Sequence, residues 1–260
     1  MLYAICLLFG WDPAKTWTAF RAVPRFFHER SRFKAHAEGE FPMGRSYPCL
    51  SDRTDESGAL PKHYFYQDIH VARRIFERHP VRHIDIGSRV DGFIAHLASF
   101  RDVEVIDIRP LTPEIPHVTF MQADFSRPLP PRLLACCDSA SCLHALEHFG
   151  LGRYGDPIDA SAWRQGLANL VAMLKPGGTL YLSVPIGPQR VEFNAHRVFS
   201  VAYVLECLAK DFSLDSFSFI DDDNRLHADV AVEPEAATNS FGCQYGCGIF
   251  IMTRRGATQS

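Results

Sequence analysis

Several absences bound the sequence before any motif is considered. The opening apolar stretch, Met1–Gly10, is far shorter than the roughly 20 residues that span a bilayer, and no basic segment precedes it. Neither a transmembrane helix nor a signal peptide is expected. A formal charge of −3 over 260 residues leaves no excess of cations to meet a phosphate backbone, so nucleic acid is not expected as a partner. No internal repeat or low-complexity segment interrupts the chain. Cysteine is present at eight positions, but three of them, Cys136, Cys137 and Cys142, share one apolar, strand-like stretch. That placement suits reduced core thiols in a cytosolic compartment better than a disulfide framework. Cys243 and Cys247 are spaced like half a metal site, yet no second pair completes a tetrahedral set.

What remains is a globular composition, 47% hydrophobic and 22% charged, read as one catalytic-sized domain with extensions. From Trp17 to Lys34, the aromatics Trp17, Phe20, Phe26, Phe27 and Phe33 interleave with arginines and a lysine, which predicts an amphipathic helical arm. A membrane surface, another protein, the chain's own domain and a dimer mate are its candidate partners; membrane contact would put a cytoplasmic protein at the bilayer. Glycines and prolines through 36–62 predict an irregular connection, and the boundary is set at 1–62 for arm and connection and 63–260 for the main domain.

In that domain strand-length apolar runs alternate with helical segments. Strands are expected at Arg82 to Ile86, Val103 to Ile108, Val118 to Gln122, Asp138 to Leu143, Thr179 to Val184, Leu214 to Ile220 and Gly248 to Thr253. Helices are expected at Phe65 to Arg78, Gly92 to Phe100, Ala160 to Leu174 and Ser200 to Lys210, with Ser200 as an N-cap. The alternation predicts an α/β fold, a doubly wound, mainly parallel seven-stranded sheet covered on both faces. One connection departs from it: Arg109 to His117 holds three prolines and is too short for a crossover helix.

In such a sheet ligands bind beyond the carboxyl ends of the central strands. The first strand ends in Asp85-Ile86-Gly87-Ser88, where Gly87 permits a tight turn and Asp85 can accept a hydrogen bond from a cationic group. Asp107, followed by Ile108, ends the second strand, where a carboxylate can take both hydroxyls of a ribose. Asp124, followed by Phe125, comes after the third and suits an adenine amino group. His144 and Glu147 follow the fourth strand, and Lys175-Pro176-Gly177-Gly178 leads into the fifth.

This ordered set, over about Tyr64 to Arg254, resembles the class I S-adenosylmethionine (SAM) dependent methyltransferases. The resemblance implies SAM as cofactor and S-adenosylhomocysteine (SAH) as product, with Asp85, Gly87, Ser88, Asp107, Ile108, Asp124, Phe125, His144 and Glu147 at the cofactor. Where the class has glycine-x-glycine-x-glycine, this chain has Arg89 and Asp91 at the second and third glycine positions, with Gly92 next. Arg89 there would crowd the cofactor or repel its sulfonium, which keeps open a non-catalytic module of the same fold. A nicotinamide dehydrogenase fits less well, because a dinucleotide pyrophosphate needs the full glycine turn.

A narrower resemblance, to the domain of unknown function family 268, is carried by His63-Tyr64-Phe65-Tyr66-Gln67-Asp68, by Ala145 to Asp159 and by Val184-Pro185-Ile186-Gly187. Tyr64 and Gln67 of the first string are placed with the cofactor. Bacterial members of this group tend to lie among surface-polysaccharide genes, so the resemblance implies a sugar or glycan precursor as methyl acceptor; a small-molecule carboxylate or amine is the alternative, and a scaffold role in glycan assembly the non-catalytic one.

Methyl transfer to a hydroxyl needs a base beside the acceptor. His196, in Asn194-Ala195-His196-Arg197, is the first candidate and His148 the second. The glycine-rich loop Gly152 to Asp159 reads either as an acceptor lid displaying Arg153, Tyr154 and Asp156, or as a turn whose aspartates cap the next helix. His144 to His148 also spells His-x-x-Glu-His, but it follows a strand and no third ligand is evident, so no metal is expected. Asp221-Asp222-Asp223 reads as a solvated turn in preference to a metal site, and Leu226 to Gly242 as an insertion, a candidate lid over the acceptor.

Overall fold

Cys137 to Leu143 and Leu180 to Ile186 carry small or apolar side chains at almost every position, the pattern of strands covered on both faces. In the computed structural model, which describes residues 11–36, 43, 45–50, 53 and 62–256, both segments are central strands. The chain divides into two units, residues 1–60 and 61–260.

In the first unit, helix α1 (Pro13–His36) buries Ala22 and leaves Trp17, Phe20, Phe27 and Phe33 exposed. Asp12 caps its first turn, accepting from the backbone N–H groups of Ala14 and Lys15. The Met1–Gly10 stretch and most of the irregular connection lie outside the described residues. No described helix is long and apolar enough to cross a membrane.

The second unit opens with α2 (Lys62–Arg78), followed by β1 (His83–Ile86), a π-helical turn at Val90–Ile94, and the short α3 (Ala95–Ala98). Next come β2 (Val103–Asp107), β3 (Val118–Gln122), β4 (Cys137–Leu143), α4 (Ala162–Met173) and β5 (Leu174–Ile186). A small hairpin, β6 (Arg190–Glu192) with β7 (His196–Val198), precedes α5 (Val201–Leu208) and β8 (Phe212–Ile220). The unit closes with β9 (Leu226–His227), α6 (Pro234–Thr238) and β10 (Gly246–Arg254).

The main sheet runs β3-β2-β1-β4-β5-β10-β8-β9. From β3 to β5 every pair is parallel, and β10 runs antiparallel between β5 and β8. It has eight strands, not the expected seven, because Leu226 and His227 pair antiparallel with Ile220 and Phe219 at the edge. The helix expected from Gly92 begins two residues earlier as the wider π-helical turn. Arg109 to His117 has no helix, as its prolines require.

Each face of the sheet is sealed by its own helices. Val71, Ile75, Phe93, Ile94 and Leu97 cover Val103, Val105 and Ile249 on one side, while Leu170, Met173, Val204 and Leu208 cover Ile84, Leu182 and Phe250 on the other. Strand order reverses between β1 and β4, so the crevice of a doubly wound sheet falls at their carboxyl ends. The 226–242 segment packs elsewhere: Phe241 stacks on Phe217 and Phe219, and the Ser240 hydroxyl donates to the Gly187 carbonyl. The aromatic face of β8 anchors it, and it is not a lid over that crevice.

Ser200 caps α5 as its sequence position predicts, its hydroxyl accepting from the Tyr203 N–H at 3.2 Å. Ser200→Ala should therefore lower the unfolding free energy by about 1 kcal/mol, read as a lower urea midpoint at unchanged slope. An unchanged midpoint would show the cap to be energetically silent.

Candidate functional site

The site begins with how the turn after β1 is held. His83, Asp85 and Ser88 are buried, and the polar groups of β1 and β4 satisfy one another across the pair. Asp85 accepts from the Ser88 N–H at 3.0 Å, from the Ser88 hydroxyl at 2.7 Å and from the Ser141 hydroxyl. Ser141 spends its proton on Asp85, so it accepts from His83 Nε2 at 3.0 Å, which leaves His83 Nδ1 to accept from Ser139 at 2.7 Å. Burial lowers the His83 pKa to about 3, consistent with a neutral imidazole in this chain, and raises Asp85 to about 6. Gly87, at φ 72°, turns above this network, and a Cβ there would come within 2.9 Å of the Ala145 side chain.

Beyond the turn lies a cavity of about 470 Å³ at the carboxyl ends of β1, β2 and β4. Tyr64, Gly87, Asp107, Ile108, Asp124, Phe125, His144, His148 and Asp156 all line it. Asp85, Ser88, Gln67, Glu147 and His196 do not. Asp85 and Ser88 hold the turn from beneath, and Gln67 bonds Asp68 and Ser183 within the protein. His196 sits on β7 with Nε2 at 3.1 Å from Glu192 and its ring 4.9 Å from Tyr245.

Charges in the cavity are largely paired. Arg89 and Asp91, which replace the two expected glycines, form a bidentate pair at 3.1 and 2.7 Å, and the guanidinium lies 5.2 Å from the Tyr64 ring centre. The charge that would repel a sulfonium is thus compensated by its neighbour. Gly92 is needed for a different reason: a Cβ would fall 2.5 Å from the Asp68 carboxylate. Asp107 is clamped by Arg109, which donates its backbone N–H at 2.8 Å, Nε at 3.0 Å and Nη2 at 2.5 Å. Asp124 accepts from the Ser126 N–H and hydroxyl and faces Arg127 at 3.3 Å.

The opposite wall comes from the segment after β4. His144 adopts φ 49°, a left-handed conformation unusual outside glycine, and packs edge-on to Tyr64. His148 Nδ1 is 2.6 Å from the Ala195 carbonyl, so Nδ1 carries the hydrogen and Nε2 the lone pair. Burial, aided by the positive field of Arg153, lowers the His148 pKa to about 4, and the ring is neutral at pH 7. Asp156 bonds its own loop, accepting from the N–H groups of Gly150, Gly152 and Tyr154 at 2.7, 3.2 and 3.2 Å. Asp159 takes the turn before α4, accepting from the Ser161 N–H at 2.8 Å. Neither aspartate caps α4, whose N-cap Ser161 makes no side-chain cap bond: Asp159 closes the turn before it and Asp156 its own loop.

Among the described residues no group of histidine, cysteine and carboxylate side chains is arranged to hold a metal ion. The acidic run after β8 is a turn: Asp221 accepts from the Asp223 and Arg225 N–H groups, and Asp222 from those of Gln244 and Tyr245. Arg109, with Pro110 and Leu111, lines the cavity without having been singled out in sequence. The available signal was the Asp-x-Arg spacing, which lets a guanidinium fold back on the carboxylate two residues earlier.

Glu147 stands behind the wall, its Oε1 3.5 Å from His148 Nε2 and 3.8 Å from His144 Nδ1, with no hydrogen-bond partner on Oε2. Burial raises its pKa from 4.5 to about 8. A pKa raised by folding means that the residue's contribution is complete below about pH 4.5 and is lost as pH climbs through 8. Glu147→Gln should therefore melt increasingly above wild type as the pH is raised from 5 to 8.5. A melting-temperature difference that stays constant with pH would contradict a neutral buried acid.

Comparison with known proteins agrees with this architecture. The family model described as Caenorhabditis protein of unknown function, DUF268, matches residues 124–232. No curated protein matches the sequence. A structural match with a TM-score of 0.51 and 15% identity, covering 76% of this chain and 92% of the other, is the complex of the Haloferax volcanii Trm112 methyltransferase activator with a protein named as a methyltransferase. The Burkholderia thailandensis 1,6-didemethyltoxoflavin-N1-methyltransferase, solved with 1,6-didemethyltoxoflavin and S-adenosylhomocysteine, matches at a TM-score of 0.49 and 16% identity, over 94% of this chain and 91% of that one. The Bradyrhizobium japonicum N-methyltransferase NodS, in complex with S-adenosylhomocysteine, matches at 0.48 and 16%, over 78% and 93%. The second unit thus has a Rossmann-like methyltransferase fold, and a DUF268 match covers its middle.

Proposed function

We propose that this protein is a SAM-dependent methyltransferase whose acceptor is a hydroxyl on a sugar or glycan precursor. The observation that carries the reading is the two-walled cavity at the topological switch point. One wall offers the carboxylates of Asp107 and Asp124 at the ends of successive strands; the other offers His148.

The cavity volume lies within the range of small-molecule sites. Asp107 suits the ribose hydroxyls and Asp124 the adenine amino group, each carboxylate having lone pairs beyond those its present partners use. Gly87 allows close backbone approach, and Tyr64 and Ile108 give apolar surface. Bound SAM supplies an electrophilic methyl group on its sulfonium. His148 holds the lone pair on Nε2 and takes the acceptor's proton, and its neutral form persists above about pH 4. The role first considered for His196 passes to His148, because His148 lines the cavity and His196 does not. The sugar acceptor rests on the resemblance set out from the sequence and on the polar loop around Arg153 and Tyr154.

A non-catalytic module of the same fold is favoured by one observation, the Arg109 clamp on Asp107, which occupies the carboxylate assigned to ribose. Calorimetric titration separates the two readings. The catalytic one expects the folded protein to bind SAM and SAH, with affinity falling at least about tenfold in Asp107→Ala. His148→Gln should keep SAH affinity and lower methyl transfer from labelled SAM to a sugar panel by about a hundredfold or more. Absence of SAH binding by folded wild-type protein rejects the enzyme.

A further inference from the structure

Three arginines line the cavity, and two of them are answered within the protein: Arg89 by Asp91 and Arg109 by Asp107. Arg153 differs. No carboxylate lies within ion-pair distance of it among the described residues, and its hydrogen bond, at 3.1 Å from Nη1, goes to the neutral carbonyl of Ala195. The carboxylate nearest in sequence, Asp156, is committed to three backbone N–H groups of its own loop. The other carboxylates on the cavity wall are engaged as well: Asp91 and Asp107 by arginines, Asp124 by Ser126 and Arg127.

Position makes this cation more than a solvated surface charge. The guanidinium carbons of Arg153 and Arg109 lie 5.2 and 4.7 Å from the centre of the Tyr154 ring, so one aromatic ring carries both cations. The same ring meets His148 edge-on at 5.4 Å. The loop is built to keep the arrangement: a Cβ on Gly150, at φ 77°, would fall 1.8 Å from the Asp159 carbonyl oxygen. The positive end of the cavity therefore stands one ring away from the candidate base, on a loop closed by its own carboxylate.

We propose that the acceptor carries an anionic group, a phosphate or a carboxylate, which Arg153 binds at this end of the cavity with Arg109 beside it. Calling the ligand an acceptor rests on the methyltransferase reading; the anion site itself does not. A guanidinium meets either oxyanion through two parallel N–H donors, and Tyr154 orients it by stacking. A sugar held by its anionic group would bring a hydroxyl towards His148, whereas a neutral sugar would leave the guanidinium unanswered.

The test uses the full chain saturated with SAH and titrated with glucose 1-phosphate, glucuronate and glucose. At least one of the two anionic sugars should bind about tenfold or more tightly than glucose, and the better one identifies the anion. Arg153→Met, which keeps the length of the side chain without its charge, should bring it to within about twofold of glucose while leaving SAH affinity unchanged. Arg153→Lys should restore part of the preference.

Equal binding of charged and neutral sugars, no binding of any of them, or a preference that survives Arg153→Met would each overturn the proposal. Loss of SAH affinity in Arg153→Met would also overturn it, giving the arginine to the carboxylate end of the cofactor. Inorganic phosphate without SAH supplies the independent arm: it should raise the melting temperature of wild type and not of Arg153→Met, and an equal effect on both counts against the site. If wild type fails to bind SAH but keeps this phosphate response, the methyltransferase reading falls and the anion site stands.

Discussion

The hydrogen-bonded chain Ser139–His83–Ser141–Asp85–Ser88 joins the two central strands on whose ends the cavity is built. Its members are buried and polar, and a polar group taken out of water without a partner costs free energy of the order of 1–3 kcal/mol. Here each has a partner from the neighbouring strand or from the turn above. Because the donors are used in one direction, from His83 through Ser141 to Asp85, the network fixes the histidine tautomer and the register of β1 against β4 together. Gly87 and the cavity floor follow from that register.

Around the cavity the same rule of local compensation recurs. The two residues that break the expected glycine pattern, Arg89 and Asp91, neutralise each other, so a sequence that reads as hostile to a cationic ligand becomes locally balanced when folded. Asp107 has its counter-ion two residues away, and Asp156 spends its charge on the amides of a tight loop. Among the described residues that line the cavity, Arg153 is the arginine left without an ion-pair partner. Burial acts in the opposite sense on His148 in the cavity wall and on Glu147 behind it, raising the carboxyl pKa to about 8 and lowering the imidazole pKa to about 4. The buried layer is thus kept close to uncharged, and the charged groups stand on the cavity lining.

Much of the architecture was legible in residue patterns. The apolar runs of β1, β2, β4, β5, β8 and β10 and the prolines between β2 and β3 announced a doubly wound sheet and the missing helix between those two strands. The edge strand β9 was not, because two residues carry no periodicity to read. Of the site, Gly87, Asp107, Asp124, His144 and His148 could be placed because each ends or follows a strand at the carboxyl edge. Asp85 and Ser88 satisfy the same positional rule yet face inward, since side chains alternate along a strand and position alone does not give the face.

Sequence alone determined the order of elements, the edge of the sheet at which a ligand would sit, and the strand ends that reach it, because these depend on local periodicity and chain direction. Tertiary structure alone decided which charges are paired and which histidines, His144 and His148, line the cavity. Pairings such as His148 with Ala195, or Tyr154 with Arg109, join residues whose separation along the chain carries no sign of contact. They exist only once β4, the loop after it and the β6–β7 hairpin are packed together, and protonation in the site follows from that packing.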